Sequence, residues 1–519
     1  MQGVHPGIPP GGRKVHVRKR LVGLPQCSYT VGMQKEDTWY RAMLARDFRF
    51  DGKFYVGVKT TGVYCRPICP ARPKRENVEF FSSALLAEKK GYRPCLRCRP
   101  ETAPQSPAWS GKSALVQRAL KAISEQEHAD LDEETFAERF GVGSRHLRRL
   151  FAEEMGKTPK RIILENRLNF ARTLIVDTGI PIGEIAFASG FSSVRRFNDA
   201  IKDRFKRPPS LLRKRSPGAP RDQGITLTLP FRPPFDFEAS LAYYRSHAIA
   251  GLESFADGAY ERIFHWGGKP GIVRVTLHGK GRSLSLQVIG GETGALGRVA
   301  QSVRRMFDLD SDPVLIANAF SGNPHLDRLY RGGPGLRSPR GWDPFETAVC
   351  SILGQLVSME QANRMISQLV EGYGEAVRHP LTGADLRVFP GPERLATSAL
   401  DKVGTTGARK ETIREFSRRL VSGTLSLGSA QDPEAFRKAL LDVKGIGPWT
   451  AEYISLRCIA DTDAFPGTDL ILKRVLERHP DIDLECARPW RGYAAAYLWR
   501  AYAGEFSNKT KTRGKGAVL

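Results

Sequence analysis

Two close pairs of cysteines constrain the fold of this chain more than any other feature of its sequence. Cys65 and Cys69 form the first pair, and Cys95 and Cys98 follow after about 25 residues. Each short turn can direct both of its sulfurs at one point, and a tetrahedral Zn²⁺ takes four thiolates at such spacings. The spacing therefore predicts a small module folded around one zinc ion, and by itself it favours a purely structural metal.

Charge and hydropathy indicate which class of partner this chain binds and which cellular compartment it occupies. The 519 residues include 80 Lys and Arg against 55 Asp and Glu, a formal net charge of +25. Binding to a polyanionic partner accounts for this positive excess better than a basic composition without such a partner does. No stretch is apolar and long enough to span a bilayer, and residues 1–33 lack the apolar segment of a secretory signal. We therefore expect no membrane association and, with four cysteines in metal spacing, a reducing cytoplasm.

Two breaks rich in proline or charge, at residues 100–107 and 213–221, have the composition of linkers. Residues 113–212 between them are patterned as helices, residues 225–290 contain alternating strand-like runs, and helical periodicity returns from about 298. The sequence thus predicts a multidomain α+β chain. Its expected segments are a disordered leader (1–34), a zinc-bound α/β module (35–103), an all-α domain (110–215), a small α+β domain (224–297), a second all-α domain (298–506) and a basic tail (507–519).

The residues around the cysteines point to a chemical role for the metal. They are Thr60-Thr-Gly, Cys65-Arg-Pro, Glu76-Asn-Val and Arg93-Pro-Cys95. Through them, residues 35–103 resemble the N-terminal domain of the Ada adaptive-response proteins. The resemblance implies that Cys65 removes the methyl group from a methylphosphotriester in the DNA backbone and keeps it. Attack on a methyl carbon needs a thiolate, and zinc holds sulfur deprotonated at neutral pH.

Methylation of such a site changes its charge. Four thiolates on Zn²⁺ carry about −2, and methylating one sulfur leaves about −1. Repulsion from neighbouring phosphates then falls, so DNA affinity is expected to rise. The resemblance also brings Thr61, Arg72 and Arg93 close to the DNA backbone, although each residue equally suits a solvated surface.

The helical middle contains two similar units. Each has a turn followed by a helix, Ser144–Phe151 in the first and Ser192–Ile201 in the second, and Ser144 and Ser192 are predicted to cap these helices. Apolar residues face inward, which leaves arginines outside: Arg145, Arg148, Arg149, Arg195 and Arg196. Joined by a helix from Pro159 to about Asp177, the units resemble the double helix-turn-helix of AraC-type DNA-binding domains.

That resemblance implies a transcription activator that binds promoter DNA and has RNA polymerase as a partner. Arginines on a recognition helix can pair with guanine edges in the major groove. The alternative is that they contact only phosphates, and one sequence does not separate the two.

The C-terminal half contains a hairpin and a downstream carboxylate. Gly445-Ile-Gly447 predicts a tight turn whose backbone N–H groups can approach a phosphate at a helix N-terminus. Asp469 comes 22 residues after Gly447 and opens an apolar helix at Leu470. It can serve as an N-cap, as a catalytic carboxylate, or as both.

With four further segments, these features identify residues 225–504 as similar to the helix-hairpin-helix DNA glycosylases, in particular the AlkA (3-methyladenine DNA glycosylase II) type. The segments are Pro233–Asp236, Arg305–Leu309, Gly354–Ser358 and Pro489–Tyr493. The resemblance implies hydrolytic excision of alkylated purines such as 3-methyladenine and 7-methylguanine, with Asp469 stabilising the oxocarbenium character of the sugar. Such bases already carry positive charge, so one carboxylate is enough.

The same resemblance assigns a base pocket and a wedge. Aromatic faces attract cationic purines, and the matching positions are Tyr243, Trp449, Tyr453 and Trp499. Each aromatic taken alone is more often an ordinary core residue. Leu356 matches the wedge that fills the gap left by a flipped nucleotide.

Three departures limit the expected activity. Trp449 stands where some hairpin glycosylases have a Schiff-base lysine, so we expect a monofunctional enzyme without lyase activity. Leu470 replaces an aromatic, which leaves the preferred base open. The Pro-Cys-His-Arg sequence of alkyltransferase domains is absent, so repair of O6-alkylguanine is not expected.

The sequence thus favours a bacterial Ada-like regulator fused to an AlkA-like glycosylase. One alternative is a zinc-containing transcription regulator whose C-terminal half binds DNA without catalysis; Asp469 and the aromatic set count against it. A glycosylase for oxidised bases with a structural zinc is a second alternative, which Trp449 at the lysine position disfavours.

Overall fold

A computed structural model describes residues 31–512 apart from short gaps, at 47–49, 51–53, 68, 82–85, 88–89, 96–97, 99, 101–111, 125–131, 214–223, 267, 280–281 and 429–430. Most of the expected leader, both expected linkers and the end of the basic tail fall outside the described residues. Among the described residues, the structure contains no helix long and apolar enough to cross a membrane. The chain forms two compact units, residues 1–101 and 102–519.

The first unit is a small sheet with a helix, as expected for a compact metal module. Helix α1 (Val31–Ala45) precedes four strands: β1 (Tyr55–Val58), β2 (Val63–Cys65), β3 (Val78–Phe81) and β4 (Arg93–Pro94). Their order in the sheet is β3-β1-β2-β4, with β4 parallel to β2. Cys65 ends β2 and Cys95 directly follows β4, so the parallel pairing brings the two halves of the cysteine quartet together.

Two helix-turn-helix units begin the second unit, as the sequence predicts. The helices are α2 (Lys112–Ser124), α3 (Glu133–Glu138), α4 (Ser144–Met155), α5 (Pro159–Asp177), α6 (Ile182–Ala188), α7 (Val194–Phe205) and α8 (Pro209–Leu212). Helices α3 and α4 form the first helix-turn-helix and α6 and α7 the second, with α5 as the connecting helix.

Both predicted serine caps are wrong. Helix α4 begins at Ser144 itself, with Gly143 as the N-cap, and the Ser144 N–H donates to a carboxylate oxygen of Glu134 of α3 at 3.2 Å. In α7 the cap is Ser193, one residue later than expected, and its Oγ accepts the N–H of Arg196 at 3.3 Å. Of two adjacent serines, the one whose backbone is extended at the helix boundary becomes the cap.

An antiparallel sheet follows the helix-turn-helix units. Its strands are β5 (Ile225–Pro230), β6 (Glu253–Ser254), β7 (Tyr260–Trp266), β8 (Lys269–His278) and β9 (Ser283–Gly290), in the order β5-β9-β8-β7-β6. Helix α9 (Phe237–Ser246) lies between β5 and β6 along the chain. Leu227, Leu284 and Val288 of this sheet belong to one hydrophobic core with Phe197 and Ile201 of α7.

The remainder of the second unit is mostly helical. It comprises α10 (Leu296–Met306), α11 (Pro313–Phe320), α12 (Pro324–Gly332), α13 (Pro344–Leu353), α14 (Met359–Tyr373), α15 (Pro392–Thr397), α16 (Gly407–Val421), α17 (Pro433–Leu441), α18 (Pro448–Arg457), α19 (Leu470–Arg478) and α20 (Arg491–Thr512), with a hairpin of β10 (Glu375–Arg378) and β11 (Asp385–Val388). Two hydrophobic cores organise these helices, one around α13, α14, α16 and α18, the other around α12, α19 and α20. The mixed α+β fold class expected from the sequence is confirmed.

Candidate active site and metal centre

Asp469 stands at the start of α19 and receives four hydrogen bonds. Its Oδ1 accepts the backbone N–H groups of Ile471 and Leu472 at 3.0 and 3.2 Å, which makes it the N-cap of α19. The indole Nε1–H of Trp499 also donates to Oδ1, at 3.0 Å, and that of Trp449 donates to Oδ2 at 3.2 Å. The capping alternative therefore holds, and the same carboxylate faces the predicted aromatic pocket.

The four predicted pocket aromatics lie together. The rings of Trp449 and Tyr453 stack one turn apart on α18, with centroids 5.1 Å apart, and Tyr453 meets Trp499 of α20 edge to face at 6.2 Å. From α9, the hydroxyl of Tyr243 approaches that of Tyr453 at 3.4 Å. Burial raises the pKa of Tyr243, so its hydroxyl stays protonated. All four side chains are only partly buried, which leaves ring surface open to a ligand.

Arg457 also belongs to the pocket, although no sequence motif predicts it. Only 4% of this residue is exposed, and its guanidinium carbon lies 4.9, 5.2 and 5.5 Å from the ring centroids of Tyr243, Tyr453 and Trp499. One guanidinium N–H donates to the carbonyl of Pro339 at 2.6 Å. A cation over aromatic faces fixes the rings in place. The available signal was the spacing of Trp449, Tyr453 and Arg457 at i, i+4 and i+8, which places them along one face of α18.

The glycine hairpin between α17 and α18 has the predicted geometry. Gly445 has a φ of 94°, and a Cβ there would lie 2.1 Å from Oγ1 of Thr412. Gly447 is the N-cap of α18, and both glycines are exposed while Ile446 is buried between them. The side-chain amide of Gln355 fastens the hairpin by donating to the carbonyl of Gly445 at 3.1 Å. The hairpin thus presents bare backbone at a helix N-terminus, as an anion site requires.

Leu356 projects from the turn between α13 and α14. Its relative exposure is 102%, the highest among the large hydrophobic residues exposed in the described part of the chain. Its φ is 54°, in the left-handed region that a branched side chain seldom adopts. Arg409 holds the turn by donating to the carbonyl of Gln355 at 2.6 Å. A strained backbone that displays an apolar side chain to solvent is typical of a functional position.

The cysteine quartet forms one cluster. The sulfurs of Cys65, Cys69, Cys95 and Cys98 all lie within 4.8 Å of one another. Hydrogen bonds with Cys69 and Cys98, followed by burial, raise the pKa of Cys65. Four sulfurs this close need a cation before all can be thiolates, so the donor set fits Zn²⁺. Cys65 and Cys69 are buried, at 4% and 3% exposure, whereas Cys95 and Cys98 are half-buried.

The remaining predicted DNA-contact residues are all exposed. They are Thr61, Arg72, Arg93, Arg145, Arg148, Arg149, Arg195 and Arg196. Arg148 pairs with Glu133 at 3.2 Å, and Arg149 lies 3.8 Å from Glu153. Surface ion pairs of this kind are weak, so these arginines can exchange a carboxylate for a phosphate at small cost.

Three segments of the chain match known protein families. Residues 38–101 match the metal-binding domain of Ada, residues 136–215 match a helix-turn-helix domain, and residues 226–343 match the AlkA N-terminal domain. The first match agrees with the cysteine cluster as a metal-binding element.

Relatives of known description cover almost the whole chain. A Mycobacterium tuberculosis protein described as "Probable bifunctional transcriptional activator/DNA repair enzyme AlkA" is 37% identical over 89% of this chain and 95% of its own length. DNA-3-methyladenine glycosylase 2 of Escherichia coli is 30% identical over 52% of this chain and 96% of its own. The E. coli "Bifunctional transcriptional activator/DNA repair enzyme Ada" is 38% identical over 24% of this chain and 34% of its own. The chain therefore belongs to the family of AlkA-type bifunctional transcriptional activators and DNA repair enzymes.

Proposed function

We propose that this protein excises alkylated purines from DNA and activates transcription in response to methylated DNA. The observation that carries the first activity is the Asp469 carboxylate, held by two indole N–H groups at the edge of an aromatic cleft. The second activity rests on a four-cysteine metal cluster followed by two helix-turn-helix units. Relatives described as activators and repair enzymes support both. The domain boundaries predicted from the sequence, and RNA polymerase as a partner, belong to the same proposal.

The glycosylase reaction follows from charge and position. A 3-methyladenine or 7-methylguanine base is cationic, so it stacks favourably on the aromatic surface that Arg457 does not cover, in particular that of Trp449. As its N-glycosidic bond breaks, the base leaves with the bonding electrons and the sugar becomes oxocarbenium-like. The fixed negative charge of Asp469 stabilises that cation and orients the water that attacks it. Because Trp449 stands at the position of the Schiff-base lysine, hydrolysis without strand cleavage is the expected outcome.

DNA contacts on either side of the cleft fit this reaction. The exposed N–H groups around Gly445 and Gly447 can bind a backbone phosphate, and the N-terminal end of α18 favours the negative charge. Leu356 fills the stack after the target nucleotide leaves it. Gln355, which precedes Leu356, donates to the carbonyl of Gly445 and so connects the wedge to the hairpin. A nucleotide flipped out at Leu356 would therefore lie beside the hairpin.

The methyl acceptor is Cys65 within one zinc site formed by Cys65, Cys69, Cys95 and Cys98. Zinc, when bound, keeps the sulfurs deprotonated at neutral pH. The Cys65 sulfur donates its electron pair to the methyl carbon, an S–C bond forms, and the C–O bond breaks with its electrons passing to the phosphate oxygen. A neutral phosphotriester thereby becomes an anionic diester.

A single substitution tests the glycosylase proposal. In Asp469→Asn, release of alkylpurines from methylated duplex DNA should fall by at least about 100-fold, since removing one preorganised electrostatic group typically has this effect. Asp432→Asn is the matched control, because Asp432 caps α17 in the same way. Equal release by wild type and Asp469→Asn, or none by the wild type, would leave a non-catalytic DNA-binding half as the better description.

The acceptor proposal has its own measurement. After incubation with methylated DNA, the peptide containing Cys65 should gain the mass of one methyl group, and the peptides with the other three cysteines should not. A Cys65 peptide of unchanged mass contradicts the proposal, as does methylation at Cys95 or Cys98 instead.

A further inference from the structure

Two histidines and an aspartate meet at the far end of helix α19 from Asp469. His325 lies in the first turn of α12, His479 is the C-cap of α19, and Asp481 follows two residues later. One ligand atom from each residue lies within 4.8 Å of the other two. The imidazole rings of His325 and His479 have centroids 4.6 Å apart. This cluster is separate in sequence from the cysteine quartet and takes no part in the proposed reaction.

Neighbouring residues hold the cluster in position. The hydroxyl of Tyr502 on α20 lies 2.8 Å from Nε2 of His325. Asn323, which is 3% exposed, donates its side-chain amide to the Asp481 carbonyl at 2.7 Å and caps α12 with its Oδ1. His325 is buried, His479 is half-buried and Asp481 is exposed, so the cluster has a fixed base and one open side.

We propose that His325, His479 and Asp481 bind a divalent transition-metal ion, with Zn²⁺ as the physiological candidate. Two imidazoles and a carboxylate are a common ligand set for first-row metals. The three ligands leave coordination positions for water on the open side. The Tyr502 hydroxyl, hydrogen-bonded to one imidazole, supplies the outer contact that orients a metal-binding histidine.

The ion would act on the active site through two helices. Helix α19 starts at Asp469 and ends at the cluster, and α20 carries both Trp499 and Tyr502, three residues apart on neighbouring positions of one face. A metal bound at the cluster joins the end of α19 to α12 and, through Tyr502, to α20. Helix α19 would then be held at its N-terminal end by the hydrogen bond between Asp469 and Trp499, and at its C-terminal end by the metal. The ion would thus have a structural role, because it would help to fix the distance between the Asp469 carboxylate and the Trp499 indole.

Metal binding by the full-length protein tests the inference. The cysteine site is first filled with Zn²⁺, and further Zn²⁺ binding is then measured by equilibrium dialysis with elemental analysis. The wild type should bind one equivalent more than Asp481→Asn, or bind it at least tenfold more tightly. Asp481 is exposed, so this variant should fold. Asp483→Asn is the control, because Asp483 is an exposed aspartate two residues further along the chain and should leave binding unchanged.

A spectroscopic readout distinguishes the two sites. Co²⁺ added to the zinc-filled protein should give ligand-field bands without thiolate charge-transfer bands, and these should be lost in Asp481→Asn and in His479→Ala. The added ion should also raise the midpoint of thermal unfolding in the wild type and in Asp483→Asn, but not in Asp481→Asn or His479→Ala. Equal Zn²⁺ binding by wild type and Asp481→Asn, or thiolate bands alone, would overturn the inference and leave a hydrogen-bonded cluster without a metal.

Discussion

Replacing Gly445 by alanine should lower the local stability of the hairpin, and the contacts of Gly445 set the size of this loss. At a φ of 94°, an alanine costs about 1–2 kcal/mol relative to ordinary backbone. The new Cβ would also lie 2.1 Å from Oγ1 of Thr412, whose hydroxyl lies 2.9 Å from the Lys444 carbonyl. Thr412 is buried, so its side chain can turn away only by losing this hydrogen bond, worth about 1 kcal/mol. The sum is about 2–3 kcal/mol.

Hydrogen exchange measured by mass spectrometry gives the local free energy of opening directly. Amides in peptides that cover the hairpin and the start of α18 should exchange roughly 30- to 150-fold faster in Gly445→Ala, since each 1.4 kcal/mol is a factor of about ten. Gly447→Ser is the control: its φ is −94°, no atom lies within 4 Å of the added Cβ, and serine is a good N-cap. Similar exchange rates in the two variants would refute the reasoning.

A second variant isolates the steric part of this effect. Thr412→Ala removes the atom that the new Cβ would strike. The double variant Gly445→Ala/Thr412→Ala should therefore lose less stability than the sum of the losses in the two single variants, by about 1 kcal/mol or more. Strict additivity would mean that the contact between Thr412 and the hairpin is not what requires a glycine.

Three other predictions test features described above. Leu356→Gly should relieve a strained backbone and raise stability by about 1 kcal/mol in thermal unfolding, yet lower base excision at least tenfold; a loss of both would show that Leu356 is structural. Ser193→Ala should destabilise the second helix-turn-helix by about 1 kcal/mol whereas Ser192→Ala should not, as judged by hydrogen exchange in α7, and the reverse order would restore Ser192 as the cap. Burial raises the pKa of Glu346 to about 7 despite its pairing with Arg262. Because the folded protein binds this proton more tightly than the unfolded chain does, the contribution of Glu346 to the free energy of unfolding falls as the pH rises from about 4.5 to 7. The stability of the wild type relative to Glu346→Gln should therefore fall over that range, and a constant difference would contradict the raised pKa.

The site was largely predictable because its residues occur in short motifs. The hairpin glycines and Asp469 are identified by their neighbours in sequence, whereas the four aromatics follow only from the family resemblance, and the four aromatics lie together in the structure. Arg457 was not predicted, because an arginine in a helix is ordinarily assigned to the surface. Its burial depends on Tyr243, which lies more than 200 residues away along the chain, and no local pattern reports such a contact.

Helix caps illustrate a different limit. Ser144 and Ser192 have the residue type and the approximate position of a cap. The caps differ in backbone conformation from what the residue types suggest, and the Ser144 N–H donates to the carboxylate of Glu134 on the preceding helix. Both are properties of the folded chain. Sequence patterns therefore locate helix ends only to within a residue or two.

The core shared by α5–α7 and the strands β5–β9 affects how this protein can be divided. The E. coli glycosylase aligns over 96% of its own length with only 52% of this chain. In this chain, Phe197 and Ile201 are fully buried in the same core as Leu227 and Val288. A fragment starting after α8 would expose the part of this core that α5–α7 cover in the full-length chain, and exposed apolar surfaces promote aggregation. We therefore expect a fragment that starts after α8 to be less soluble than the full-length chain.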